Sequence, residues 1–169
     1  VASVSSVNTG GYSDWRLPSI KEMYSLINFN GEDPMLGDTD TSRLKPFIDT
    51  KYFGFGYGDI SAGNRNIDAQ VVTSSIYTSK TFFVLQTMFG VNFADGRIKG
   101  YPPSIGMGAF SGSISANMFY VYYVRGNSAY GVNDFQDNGD GTVTDAATTL
   151  TWSQADSKVG MDWEHALAW

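Results

Sequence analysis

Three regimes of hydrophobic patterning follow one another along the chain. In the first, Ile20, Met23, Tyr24 and Ile27 stand at i, i+3, i+4 and i+7, the spacing of one apolar helix face. Ser19 precedes the run and Glu22 stands three residues on, which makes a capping box, and Asn28 to Gly31 supply a stop. The spacing predicts a helix over 19–28. From Val71 the pattern changes to β-branched and aromatic runs: VVTSSIYT (71–78), TFFVLQTMF (81–89) and GVNFADGRIKGY (90–101). Ala94-Asp95-Gly96-Arg97 reads as a hairpin turn, because Asp-Gly suits positive-φ positions. NMFYVYYVR (117–125) is the strongest strand signal and is placed at the centre of the sheet. In the third regime a dense turn cluster at 136–141 precedes two short strands, 142–144 and 150–152, around a turn at 145–148. Asp162 then caps a helix starting at Trp163, with Glu164 near its positive end.

The intervals between these runs carry as much weight as the runs. Residues 1–10 are small and polar and read as an extended lead-in. Residues 31–70 hold Gly, Asp, Pro and Thr with little periodicity. That is too long for a passive connector, so the stretch reads as a structured, functional loop region. Leu44 to Phe53 within it is expected to make a short helical turn and to supply core side chains. Residues 102–115 form a second Gly/Ser/Pro loop. Composition agrees: 14 of the 17 acids are Asp and three are Glu, and there are 19 glycines. Asp, Asn, Ser and Gly belong to turns, whereas Glu and Lys fill helix surfaces. The expectation is a loop-rich domain with short strands and few helices. A chain of 169 residues suits one domain and buries roughly 70% of its unfolded surface, so it needs no covalent staple.

Charge and cysteine usage exclude several classes of function. The net charge of −6 argues against nucleic acid and against anionic membrane surfaces. No apolar run approaches the ~18 residues of a membrane span, so direct membrane insertion is not expected. With no cysteine there is no disulfide framework, thiolate zinc site, iron–sulfur cluster or cysteine nucleophile. The sequence begins at Val1 rather than Met, which leaves room for a leader removed or lying upstream.

GYSDWRLPSIKEMYSLIN (11–28), with its Gly-Tyr-x-Asp-Trp-Arg-Leu-Pro string, resembles the bacterial Lcl C-terminal-domain-like family. The likeness continues through 47–59, 89–101 and 122–127, and resumes in DFQDNGDGTVTDAATTLTWS (134–153) and MDWEHALAW (161–169). Most members of that family have no assigned function. The resemblance implies a C-type-lectin-like α+β fold: two short helices, a curved antiparallel sheet and long loops that carry binding. It also implies an unusual order. In a family unit the Asp-Gly-Thr-Val-Thr-Asp hairpin and the Trp-Glu helix come first, whereas here they follow. The chain therefore divides into a lectin-like unit at 1–130 and a segment at 131–169. That segment is either the start of a following unit, in a fragment of a tandem protein, or a piece that completes the first. A helix at 163–169 is too short to stand alone. It is expected to pack on the 19–28 helix, in this chain or in a neighbouring copy.

Candidate chemistry is sparse. Asp137, Asn138, Asp140 and Asp145 offer hard oxygen ligands of the kind calcium takes. The register is not that of an EF-hand, since Gln136 falls where Asp is needed and Ala147 where the bidentate Glu is needed. The same residues make turns without a metal. Trp15 and Arg16 read either as a ligand-stacking pair or as a buried Trp with Arg bonding backbone carbonyls. His165, the only histidine, reads as a surface or packing residue. Gly54-Phe55-Gly56-Tyr57-Gly58 has no strand–helix context and no following Lys, so it reads as a flexible aromatic loop rather than a phosphate cradle. No Gly-x-Ser-x-Gly or His-Glu-x-x-His motif is present, and no catalytic residue is expected. Tyr57, Tyr101, Tyr120, Tyr122, Tyr123 and Tyr130 are either sheet packing or a surface for stacking sugar rings. The expectation is a bacterial adhesion or binding module that is extracellular, on the cell surface or periplasmic. Its ligand is a carbohydrate or glycoconjugate, bound by the loops at 31–70 and 102–116. The alternative is a self-associating filament or surface-layer protein in which 131–169 complete a neighbouring copy. An enzyme is the third choice.

Overall fold

The Leu-Pro-Ser-x-x-Glu string nucleates the first element. Ser19 accepts a hydrogen bond from the Glu22 amide at 3.3 Å, and the Glu22 carboxylate accepts from the Ser19 amide at 2.8 Å, closing the capping box. The computed structural model, which describes residues 8–35, 37–81, 86–102, 104–105, 115–116 and 118–169, places helix α1 at Ile20–Tyr24. This is shorter than the expected 19–28. Beyond Tyr24 the bonds tighten to i→i−3, from Leu26 to Met23 and from Ile27 to Tyr24. The Ser25 hydroxyl donates back to the Glu22 carbonyl at 2.7 Å. The Asn28 amide is then taken by the Phe47 carbonyl at 2.9 Å, so a tertiary bond replaces the next helical one.

The chain forms two compact units, Val1–Ser128 and Ala129–Trp169. The first is built on an antiparallel sheet of β1 (Gln70–Ile76), β2 (Met88–Asn92) and β3 (Arg97–Tyr101), in the order β1-β2-β3. Val71 pairs with Val91 and Val91 with Ile98, which puts the apolar positions on one face. The turn between β2 and β3 runs through Phe93 to Gly96, where Gly96 takes φ +68° and Asp95 accepts from the Arg97 amide. A short pair, β4 (Ser104–Ile105) with β5 (Ser115–Ala116), lies within the expected 102–116 loop region. Part of the expected strand 81–89, residues 82–85, lies outside the described residues, as do residues 1–7 of the lead-in.

One strand expectation is corrected. Residues 117–125 were expected at the sheet centre, but β2 is central. The described part of that segment makes only two isolated bridges, Tyr120 parallel to Val71 and Val124 antiparallel to Arg16. It runs along the free edge of β1, with Tyr120 bonded to Gln70 and Val72, and then leaves to meet the Trp-Arg-Leu-Pro strap. Alternating tyrosines suit an edge as well as a centre; which one they occupy is decided by available partners.

The core of the first unit is Met23, Ile27, Ile48, Val71, Val91 and Phe93. Ile48 comes from the Leu44–Phe53 stretch, where the Phe53 amide closes a turn onto the Asp49 carbonyl. Phe47 is wedged between two glycines: a Cβ on Gly31 would meet its ring at 2.5 Å and one on Gly96 at 2.6 Å. The described residues of 31–70 are held by turns of their own. Asp40 and Asp59 each cap a 3₁₀ turn, and the Asn66 and Asn92 amides donate to the Asp38 and Ile67 carbonyls.

The second unit is a meander of β6 (Phe135–Asp137), β7 (Thr142–Asp145) and β8 (Leu150–Ser153), followed by helix α2 (Trp163–Ala168). Asp162 caps α2 through the His165 amide at 2.9 Å. Strand β6 was not expected; its three residues run straight into the turn cluster that follows them. Asp145 is the single buried residue in this unit. The architecture is α+β: two three-stranded antiparallel sheets with a few short helices. Among the described residues no helix is long and apolar enough to cross a membrane.

Candidate functional site

The Trp-Arg-Leu-Pro motif is scaffold. Arg16 lays a bidentate pair on Glu22, at 2.8 and 2.6 Å, while its backbone exchanges two hydrogen bonds with Val124 at 2.9 Å. The Pro18 carbonyl accepts from both the amide and the hydroxyl of Ser74, and the Ser75 hydroxyl accepts from the Ile20 amide. The strap is thereby tied to β1 and to the 118–125 segment. Arg16 bonds a carboxylate side chain, not the carbonyls expected of it. Its guanidinium and the Ser19 amide together hold the Glu22 carboxyl down to about 2. Trp15 donates its indole N–H to the Thr9 carbonyl at 3.2 Å.

The strap fixes the position of the 118–125 segment, and a crevice opens between that segment and the Gly-Phe-Gly-Tyr-Gly loop. Its volume is about 190 Å³. Gly54–Gly56 form one wall, Tyr120–Tyr122 the other, and Ala69 and Val71 line it between them. The loop is held by the Tyr122 hydroxyl, which donates to the Gly54 carbonyl, and by the Gly58 amide, which donates to Asn66 at 2.9 Å. Phe53 and Phe93 both meet the Tyr122 ring edge-on near 6 Å, which fixes that ring. Phe55 and Tyr57 form a tighter edge-on pair at 5.1 Å. Tyr120 differs from these. It is 61% exposed at the lip. Desolvation pushes the Tyr57 hydroxyl up to about 12, and among the described residues that buried hydroxyl has no hydrogen-bond partner. Its described lining offers ring faces, backbone groups and the two phenol hydroxyls of Tyr120 and Tyr122.

The other tyrosines go elsewhere. Tyr101 packs against Phe119 and over Gly90, its hydroxyl buried and its proton retained by desolvation. Tyr123 is half-buried, and Tyr130 is exposed in the second unit. The sequence reading missed Phe55 and Val121 as crevice residues. The alternation of glycine and aromatics at 54–58 was the available signal, and it read as flexibility.

The four candidate calcium ligands are not brought to one point. Asp137, Asn138 and Asp140 lie at the β6–β7 turn, while Asp145 ends β7, about 10 Å further along the strand. Each is engaged locally. Asp137 accepts from the Gly139 amide at 2.8 Å, Asp140 from the Thr142 amide at 3.0 Å, and Asn138 donates to Thr142 and Thr144. Asp145 accepts from the Asp134 and Ala147 amides, from the Asn133 side chain at 2.6 Å and from the Thr148 hydroxyl at 2.9 Å. These bonds, the Asp134 amide first, hold its carboxyl below the usual carboxylate range. Among the described residues no group of three or more acidic or histidine side chains is arranged to hold a metal ion. His165 is exposed beside its own cap, Asp162, at 2.5 Å.

A family model described as the Lcl C-terminal domain matches residues 1–125. No curated protein matches the chain, and no solved structure does.

Proposed function

The chain belongs to the Lcl C-terminal domain family, and from that premise we propose that it is a binding or adhesion module of C-type-lectin-like fold, working outside the cytoplasm and taking carbohydrate or glycoconjugate. The observation that carries the reading is the exposed Tyr120 ring at the mouth of a small, uncharged, aromatic-walled crevice. Sugar rings present apolar C–H faces that stack on aromatic side chains, and concave apolar sites with a few polar groups are where small ligands settle. Fold analogy alone would be a weak warrant for function; the crevice gives the reading a residue to test. Calcium enters the test as a condition, since the 137–145 region is the part of the chain that invites it.

The experiment is a glycan array with wild-type protein and Tyr120→Ala, each with and without calcium. The expected result is binding to a defined set of glycans that Tyr120→Ala weakens about tenfold or more, the worth of one stacked ring. Tyr120 is exposed, so the variant keeps its melting temperature. An array with no bound sugar, or equal binding by Tyr120→Ala, overturns the assignment. A melting temperature unmoved by calcium removes the ion from the proposal, and a rise of several degrees establishes it.

A further inference from the structure

Gly54 and Gly56 have no packing reason to be glycine. Among the described residues a Cβ at either position meets nothing within 4 Å, and neither takes a positive φ. Alanine would fit both places and, by narrowing the unfolded ensemble, would hold the fold slightly better. The glycines with a structural role look different. A Cβ on Gly58, two residues on, would strike the Arg65 carbonyl, and one on Gly90 would come within 2.6 Å of the Val71 carbonyl. Gly96 sits at φ +68° against the Phe47 ring. Where neither strain nor crowding calls for glycine, the missing side chain serves the close approach of another molecule to the main chain. Gly54 and Gly56 both line the crevice.

The main chain there is free to bind. Among the described residues the amides and carbonyls of Phe55, Gly56 and Val121 have no hydrogen-bond partner, and all three residues line the crevice. The Gly54 carbonyl is engaged by the Tyr122 hydroxyl. The wall therefore offers donors and acceptors together, beside the exposed Tyr120 ring. A hydroxyl both donates and accepts, so a polyol satisfies such a wall, whereas an ionised carboxylate only accepts. An anion would also be stripped of water there without a counter-charge. Every Lys and Arg of the chain lies among the described residues, and none lines the crevice. Residues 1–128 hold ten acids and ten bases. Their five arginines all sit on acids: Arg16 on Glu22, Arg43 on Asp40, Arg65 on Asp68, Arg97 on Asp33 and Asp95, Arg125 on Asp14.

We propose that the crevice takes a neutral sugar ring, its hydroxyls bonded to the bare main chain of 54–56 and Val121 and its C–H face on Tyr120, with Gly54 and Gly56 as the residues that determine this specificity. This rests on the carbohydrate reading and adds to it the wall that reads the sugar and the class of sugar read.

The test uses the full chain on a glycan array that carries terminal neutral hexoses beside their uronates and 6-sulfates. Wild type is compared with Gly54→Ala, Gly56→Ala and Tyr120→Ala, and the melting temperature of each is measured. Neutral ends are expected to bind about tenfold or more tightly than their acidic counterparts. Each glycine variant is expected to lose about tenfold or more in binding, because its methyl group holds the ring off the main chain and leaves hydroxyls unpaired. Its melting temperature is expected to hold or to rise by about one or two degrees. Wild-type protein that holds no sugar ends the carbohydrate reading and the present proposal with it. Tyr120-dependent binding that either alanine variant keeps in full overturns that glycine's role and leaves the carbohydrate reading standing. Uronates or sulfates bound as well as the neutral ends overturn the neutral class. A melting temperature lowered by about five degrees or more makes the substituted glycine structural and overturns its part in recognition.

Discussion

Removing the Glu22 carboxylate tests how the strap holds the first unit, because one side chain serves two purposes there. It closes the capping box on Ser19 and neutralises Arg16. Its pKa falls from 4.5 to about 2, a displacement of about 3.4 kcal/mol if all of it resides in the fold. The Glu22 side chain is 9% exposed but Arg16 is 34% exposed. Solvent screens the pair from the arginine side, so about half of that figure, ~1.5–2 kcal/mol, is the fair expectation. A glutamine still caps the helix and loses only the charge, so Glu22→Gln is expected to cost about 1.5 kcal/mol. Glu22→Ala loses the cap as well and is expected to cost about 2.5–3 kcal/mol. The assay is urea unfolding followed by circular dichroism, with hydrogen exchange over residues 16–28 assigning the loss to this region. The sign of the pH dependence follows from the depressed pKa. The unfolded chain takes up a proton near 4.5 that the folded chain accepts only near 2. The pair's contribution is therefore complete above about pH 5 and drains away as the pH falls from 4.5 toward 2. Wild type and Glu22→Gln should converge over that window. A gap that stays constant from pH 7 to pH 3, or a Glu22→Ala cost under about 0.5 kcal/mol, refutes the reasoning.

Two further perturbations probe packing in each unit. Gly96→Ala combines a positive φ of +68° with a Cβ 2.6 Å from the Phe47 ring, so a loss of about 2–3 kcal/mol is expected in urea titrations; a loss below 0.5 would show that Phe47 moves aside freely. Asp145→Ala removes the acceptor that four donors of the second unit share, so amide exchange in β6 and β7 should quicken about tenfold or more while α1 and β1–β3 stay unchanged. Exchange in β6 and β7 that does not change would mean the carboxylate is not what holds that sheet.

What was legible in the sequence was local. The Ser19–Glu22 box, the Asp162 cap, the Asp95-Gly96 turn and the meander around Asp145 are each decided within a few residues, and each is present. What was not legible was decided at a distance. The end of α1 is set by Phe47 taking the Asn28 amide. The place of residues 118–125 is set by β1 already having β2 on its other side. The Arg16–Glu22 pair joins two residues that were both singled out, but for separate roles. The crevice needs the 54–58 loop and the 120–122 edge brought together across more than sixty positions, and no spacing rule announces that. The apolar side of β6–β8 was readable in principle, since Phe135, Val143, Leu150 and Trp152 share one parity once the register is known. Without β6 the register was missing.

The distribution of aspartate gives the net charge its meaning. Asp40, Asp49, Asp95, Asp137, Asp140, Asp145 and Asp156 each accept a hydrogen bond from the amide two residues on. Half of the chain's aspartates are therefore turn-formers. Each brings a charge as a by-product of its geometry. In the first unit arginines and Lys99 sit against several of these carboxylates and their neighbours, and the sum is zero. In the second unit the same turn chemistry is left uncompensated, and the charge accumulates around an apolar face.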